Sequence, residues 1–266
     1  MYDRIILPFD GARRALAPLP YAEELAHTWR APLEILHVAT EDDPAAEAQP
    51  EDHDVHVVHA PAPAPAICDH VRASDPPGML CMASRGRTAT GEALFGTVTG
   101  EVVRHLHAPL VVTGPRLRAP TRKRDLRRLL VCLDGSTTSA SILPTARTWA
   151  SELDLELDLI HITYPLGDPT IGDITVPEET RAISTELRRT TDELAQAGIT
   201  TSWQVIEDAR PASGIIRQAA FRSADLIVMA THGRTGLARM LTGSVTTDVI
   251  RHAPLPILTL RPEHLT

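Results

Sequence analysis

Short apolar runs alternate along the chain with stretches in which apolar residues fall three and four apart. The first pattern predicts buried strands and the second amphipathic helices. Residues 5–9 open the series as a strand ending at Asp10-Gly11. A helical stripe follows through Leu16, Leu19, Ala22, Leu25 and Ala26, with Pro18 and Pro20 in its early part. Strands are predicted at 33–39, 55–58, 79–82 and 110–113, and helices at 67–73 and 98–105. The proline-alternating residues 60–65 read as extended chain. The acidic stretch 41–54 reads as a loop with at most one helical turn. Further on, strands are predicted at 128–133, 155–163, 202–206, 226–229 and 257–260. Helices are predicted at 139–153, 177–197, 211–222 and 245–251. The helix at 177–197 is marked by Pro177 at its start, Glu178 and Glu179 in its first turn and Gly198 beyond its end.

Strands alternating with helices predict an α/β fold with a mostly parallel sheet and helices on both faces. The series also occurs twice. Residues 83–113 align with 230–260 without a gap at an offset of 147, pairing Arg87 with Arg234, Val98 with Val245, Arg104 with Arg251, His105 with His252 and Pro109 with Pro256. The first strands align at an offset of 124, placing Asp10 on Asp134. The first half is therefore 23 residues short, and the deficit falls between its second and third strands, where the second half has helix 177–197. The expected organisation is a shortened domain at 1–115, a linker at 116–127 and a complete domain at 128–266. The linker region is strongly basic, with Arg116, Arg118, Arg122, Lys123, Arg124, Arg127 and Arg128, and reads as a solvated connector.

Composition narrows the function. A net charge of -8 and only 3% aromatic residues argue against nucleic acid and anionic membrane as partners. Cys68, Cys81 and Cys132 form no metal-binding or redox spacing, and Cys81 and Cys132 sit in apolar runs, so they read as buried small hydrophobes. With no leader peptide and no apolar run near membrane-spanning length, the expectation is a soluble, cytoplasmic protein.

The chemistry concentrates where strands end. After the fourth strand of each half comes a glycine-containing loop leading into a helix: Ala83-Ser84-Arg85-Gly86, nine residues, then Gly96-Thr97; and Ala230-Thr231-His232-Gly233, nine residues, then Gly243-Ser244. Glycine lets backbone approach a ligand closely, and helix N-terminal amides attract anions. In open α/β sheets ligands bind beyond the strand carboxyl ends. Taken singly, Asp-Gly after a strand also makes an Asx turn, and Gly-Ser also caps a helix. Repetition at fixed spacing is what points to a phosphate-bearing ligand.

On these motifs each half resembles a universal stress protein domain, and the whole a tandem member of that family. Its ATP-binding branch carries Asp-Gly-Ser after strand one and Gly-x-x-Gly-x(9)-Gly-(Ser/Thr) after strand four. Here the corresponding residues are Asp134-Gly135-Ser136 with Ala230, Gly233, Gly243 and Ser244, and Asp10-Gly11-Ala12 with Ala83, Gly86, Gly96 and Thr97. Both halves have alanine for the first glycine. The resemblance implies two Rossmann-like (adenine nucleotide alpha hydrolase-like) domains of five strands each. It implies ATP, with or without Mg2+, as ligand. Asp134 would bond its adenine or ribose end, and Ile162, with counterpart Val38, would meet adenine through the backbone. Ala230 and Gly233 would pass close to ribose and phosphates, and Gly243, Ser244 and Thr246 would hold phosphate. It also implies an intramolecular pseudo-dimer and a homodimer of whole chains. The expected role is regulatory binding; the alternatives are a non-nucleotide interaction scaffold and a slow ATPase or self-phosphorylating enzyme.

Other candidates are weaker. His37 and His161 fall at equivalent positions and read as satisfied core histidines. His232 has no paired acid or base beside it in the sequence. His53, His56 and His59 recur every third residue without a carboxylate or cysteine cage, so no metal site is expected from them. No GxxxxGK[ST] motif occurs.

Overall fold

The protein was analysed as a computed structural model that describes residues 2–41, 53–73, 76, 78–84, 96–118, 126–165, 178–231 and 244–262. The expectations for the loop at 42–52, the linker at 119–125, and for Gly86, His232, Gly233 and Gly243 lie outside the described residues. Two compact units emerge, one of residues 1–125 with 250–266 and one of 126–249.

In the first unit β1 (Ile5–Pro8), β2 (Leu33–Ala39), β3 (Val55–His59), β4 (Met79–Ala83) and β5 (Leu110–Thr113) come from the first repeat. Their order is β3-β2-β1-β4-β5, all neighbours parallel. β1, β4 and β5 are almost wholly buried apolar runs, as a strand covered on both faces requires. The helices are α1 (Leu19–Trp29), α2 (Pro63–Arg72) and α3 (Thr97–His105). The second repeat adds one more strand here. Its terminal segment Ile257–Leu260 pairs antiparallel with β5, Ile257 opposite Val112 and Thr259 opposite Leu110. Gly114, just past β5, is where this insertion is tightest: a Cβ built there would lie 1.8 Å from the carbonyl oxygen of Ile250. Only glycine fits such an approach.

The second unit holds β6 (Arg128–Cys132), β7 (Glu156–Thr163), β8 (Thr201–Glu207) and β9 (Leu226–Ala230), with the terminal strand above numbered β10. Their order is β9-β6-β7-β8, again all parallel. Leu129, Leu130, Val131, Ile227 and Val228 have no exposed surface, so β6 and β9 form the centre of this core. The helices are α4 (Thr137–Ala140), α5 (Leu143–Leu153), α6 (Glu178–Gln196), α7 (Pro211–Phe221) and α8 (Ser244–His252), the last three residues of α8 falling in the first unit. The predicted α/β class with a mostly parallel sheet is what the chain forms.

Prolines account for the main differences from the sequence reading. α2 starts at Pro63, four residues before the expected start, and the segment read as extended supplies its first turn. Pro63 and Pro65 fall where helical N–H groups have no partner to lose. The single helix expected at 139–153 is two, because Pro144 has no N–H for the helix ladder and its ring crowds the carbonyl four residues back. The stripe starting at Leu16 divides likewise into a 3-10 turn, Arg13–Leu16, and a helix with Pro20 in its first turn. All three cysteines are free and buried, and burial raises each thiol above its usual value, as expected of inert core residues. Among the described residues no helix is long and apolar enough to cross a membrane.

Gly114→Ala should therefore lower unfolding stability by about 3 kcal/mol, since either backbone must shift to admit the methyl. A urea titration within about 0.5 kcal/mol of wild type would show that the contact with Ile250 is not held in solution.

Candidate functional site

Strand order places the site. In the second unit the chain runs outward from β6 to β7 and β8, then returns to the other side of β6 to form β9. The strand order thus reverses between β6 and β9, and at such a point two loops diverge and leave a crevice at the carboxyl ends. Asp134 follows β6, and Ala230 ends β9. The first unit repeats this geometry between β1 and β4, with Asp10 and Ala83 in the same places. Ala83 and Ala230 are the last residues of extended strands, a backbone conformation that alanine adopts without glycine's extra freedom.

The two Asp-Gly turns are built alike. Gly11 and Gly135 have φ of 80° and 78°, the left-handed conformation that glycine enters freely. That turn brings the amide two residues on back to the carboxylate. Ala12 N–H donates to Asp10 Oδ1 at 3.0 Å, and Ser136 N–H donates to Asp134 Oδ1 at 3.0 Å. Ser136 Oγ also donates to Asp134 Oδ1 at 2.6 Å, while accepting the Ser139 N–H at 3.0 Å as the cap of α4. Ser139 Oγ donates to the Ser136 carbonyl at 2.9 Å and accepts the Asp134 N–H at 3.1 Å. The Asx turn open to the Asp-Gly motif is thus formed in both units, and Ser136 caps α4 besides. Ser139 was not singled out from the sequence, although a hydroxyl three residues after a Ser cap is a legible signal. α6 closes over this turn, since a Cβ at Gly135 would lie 2.9 Å from Ile183 Cγ1.

Opposite these turns the helices after strand four are fastened at their first turns. Thr99 Oγ1 donates to the Ala83 carbonyl at 3.0 Å, and Thr246 Oγ1 donates to the Ala230 carbonyl at 3.2 Å. The Thr246 hydroxyl thus holds the first turn of α8 to the end of β9. In the first unit Gly96 N–H donates to the Ser84 carbonyl at 2.9 Å. The first intrahelical bond of α3 runs from Gly100 N–H to Gly96, which leaves the amides of Thr97, Val98 and Thr99 without helical partners. Ser244 opens α8 in the corresponding place.

Val38 and Ile162 sit near the ends of β2 and β7, opposite Val58 and Ile206 of the next strands. Their neighbours His37 and His161 donate Nδ1–H to the carbonyls of Phe9 and Leu133, both at 2.9 Å. These are the satisfied histidines expected from the sequence, and each ties the second strand to the exit of the first. The three histidines of the 53–59 run separate: His53 lies 3.4 Å from Glu23, whereas His56 faces Glu34 and His70.

A duplicated parallel α/β unit, with an Asp-Gly turn and a tethered helix N-terminus meeting where strand order reverses, defines the class as a tandem Rossmann-like protein. The chain belongs to the universal stress protein family, whose family profile matches residues 40–114 and 125–261. A universal stress protein of Mycolicibacterium smegmatis is 28% identical over 193 residues, which are 72% of this chain and 64% of that relative. The chain thus spans just under two-thirds of that relative's length. Among solved structures, a universal stress protein from Archaeoglobus fulgidus covers 98% of both chains with a TM-score of 0.68 and 18% identity, a likeness of fold. Two shorter family structures, in complex with cAMP and with dAMP, align with about half the chain at TM-scores of 0.41 and 0.40. At that distance nothing of their ligands transfers to this chain.

Gly135→Ala should destabilise the protein more than Gly198→Ala in parallel denaturation experiments. Both glycines have positive φ, but the space around Gly198 is open whereas Gly135 meets Ile183. About 1 kcal/mol is expected at Gly198 and about 1–3 kcal/mol more at Gly135. Equal losses would mean that α6 does not rest on the turn.

Proposed function

We propose that this protein is a stress-response regulator whose second repeat binds an adenine nucleotide, ATP, and reports occupancy rather than turning it over. One observation carries the reading: the Asp134 turn and the start of α8 stand together at the β6–β9 reversal, with α8 fixed by the Thr246–Ala230 bond. A pre-set helix N-terminus next to a carboxylate suits a ligand with phosphate at one end and hydroxyl or amine donors at the other. In this reading Asp134 bonds the nucleoside end and the Ile162 backbone meets adenine. Ala230 and Gly233 let the chain pass near ribose and phosphate, and Gly243 and Ser244 hold phosphate through their amides. The first repeat offers the same frame in Asp10, Val38, Ala83, Gly86, Gly96 and Thr97. Occupancy would shift the population of conformations a partner meets.

A second reading is a ligand-free interaction scaffold. It is favoured by the mutual satisfaction of Asp134, Ser136 and Ser139, and by the engaged hydroxyl of Thr246, which leave these groups hydrogen-bonded with no ligand.

Nucleotide released by heating the purified protein and identified by mass spectrometry distinguishes the two. The expected result is one adenine nucleotide per chain, with ATP affinity at least about tenfold weaker in Asp134→Ala and in Gly243→Val. Two per chain would assign a working site to the first repeat as well. No nucleotide, and no titration signal at millimolar ATP, would leave the scaffold.

A further inference from the structure

The first unit brings together three side chains from three elements, away from the strand carboxyl ends. Glu34 lies on β2, His56 on β3 and His70 on α2, and one ligand atom from each lies within 4.8 Å of the others. His70 Nε2 is 2.8 Å from Glu34 Oε1, and His56 Nδ1 is 3.9 Å from the same oxygen. The two imidazole rings are 5.4 Å apart, inclined by 36°. Glu34 and His70 are mostly buried, whereas His56 is half exposed. The second carboxylate oxygen of Glu34 accepts from Arg4 Nη1 at 3.3 Å.

We propose that Glu34, His56 and His70 form a binding site for a divalent transition ion of the zinc class. Two imidazoles and one carboxylate are a donor set for Zn2+ and its neighbours rather than for Mg2+ or Ca2+, which take oxygen ligands. Metal–ligand bonds of about 2.0–2.2 Å place tetrahedral ligand atoms about 3.3 Å apart. The 2.8 Å and 3.9 Å separations bracket that value and all three ligand atoms lie within 4.8 Å of one another, so small side-chain rotations complete the site. Binding replaces the Glu34–His70 hydrogen bond by two metal bonds, with the neutral His70 imidazole keeping its proton on Nδ1 and giving its Nε2 lone pair to the ion. Arg4 holds the carboxylate in place from behind, the part that an outer-shell partner plays. The exposed side of His56 leaves a fourth position for water or an outside ligand. The bound ion would clamp α2 to β2 and β3.

The second repeat serves as an internal comparison. Glu34 corresponds to Asp158 at the same offset as the first strands. His56 lies opposite Leu36 as Gln204 lies opposite the equivalent Ile160. His70 and Gln218 are both the eighth residue of helices that start at a proline, α2 and α7. Where the first repeat has two imidazoles the second has two amides. There Asp158 accepts from Ser202 Oγ at 2.5 Å, and Gln204 accepts from Arg222 at 3.1 Å. The metal-binding donor set thus belongs to the first repeat, and the proposal stands independently of nucleotide binding.

The test uses the full chain, stripped by chelator and kept free of nucleotide, titrated with Co2+ and then Zn2+. The expected result is one Co2+ per chain with the intense visible absorption of a four-coordinate ion, displaced by Zn2+, and a raised melting temperature with either metal. His70→Gln and His56→Gln, which install the second repeat's residues, should each weaken Co2+ binding at least about tenfold. His59→Gln, on the same strand, should leave it unchanged. His56 is half exposed, so its variant decides the matter if His70→Gln folds poorly. Absence of the four-coordinate spectrum would overturn the proposal. So would equal weakening by His59→Gln and His56→Gln, which would mean scattered surface binding.

Discussion

Parallel pairing of the first and fourth strands is the constraint on which each repeat depends. β6 lies beside β9 and β1 beside β4, although 98 and 74 residues separate their starts. Parallel neighbours have their carboxyl ends on one side, so the loops that leave them emerge together. An Asp-Gly turn and a helix N-terminus remote in sequence become neighbours for this reason alone. The buried apolar runs Leu129–Val131 and Ile227–Val228 supply the energy that holds the pair.

Three side chains then fix the rim. Asp134 locks the turn after β6 through the Ser136 amide and hydroxyl, and His161 ties β7 to the same exit through Leu133. Thr246 fastens α8 to the end of β9. Each uses a backbone carbonyl or amide that would lose its water at the sheet's edge and needs a replacement. Asp10, His37 and Thr99 make the equivalent bonds in the first repeat. The shortened repeat therefore keeps these elements of the frame.

Much of this was legible because the signals were local. β2, β5 and β10 have the bounds read from the sequence, being isolated apolar runs between clear breakers. The duplicated Asp-Gly motifs marked the two turns that the structure forms after β1 and β6, and the paired His37 and His161 were recognisable as structural. Prolines misled where their position within an element mattered: Pro63 and Pro65 open α2 instead of preventing it, and Pro144 divides a helix. The cluster of Glu34, His56 and His70 was not legible at all. Its members come from two strands and a helix, and the visible rhythm of His53, His56 and His59 pointed along the strand, whereas the partners lie across it. The engaged hydroxyl of Thr246 was hidden for a similar reason, since only the fold shows that its nearest acceptor is the strand it follows by 16 residues.

The placement of β10 bears on how the molecule is made. The second unit is one unbroken segment, 126–249, whereas the first needs residues 250–266 in addition to 1–125. A ribosome emits the sequence in order, and a unit can close only when all its parts have emerged. The unit encoded first is thus the last to be completed: β5 waits, with an unpaired edge, for a strand translated nearly 150 residues later. During that interval the exposed backbone of β5 is open to pairing with the wrong chain, which makes this stage of synthesis one of exposure to aggregation.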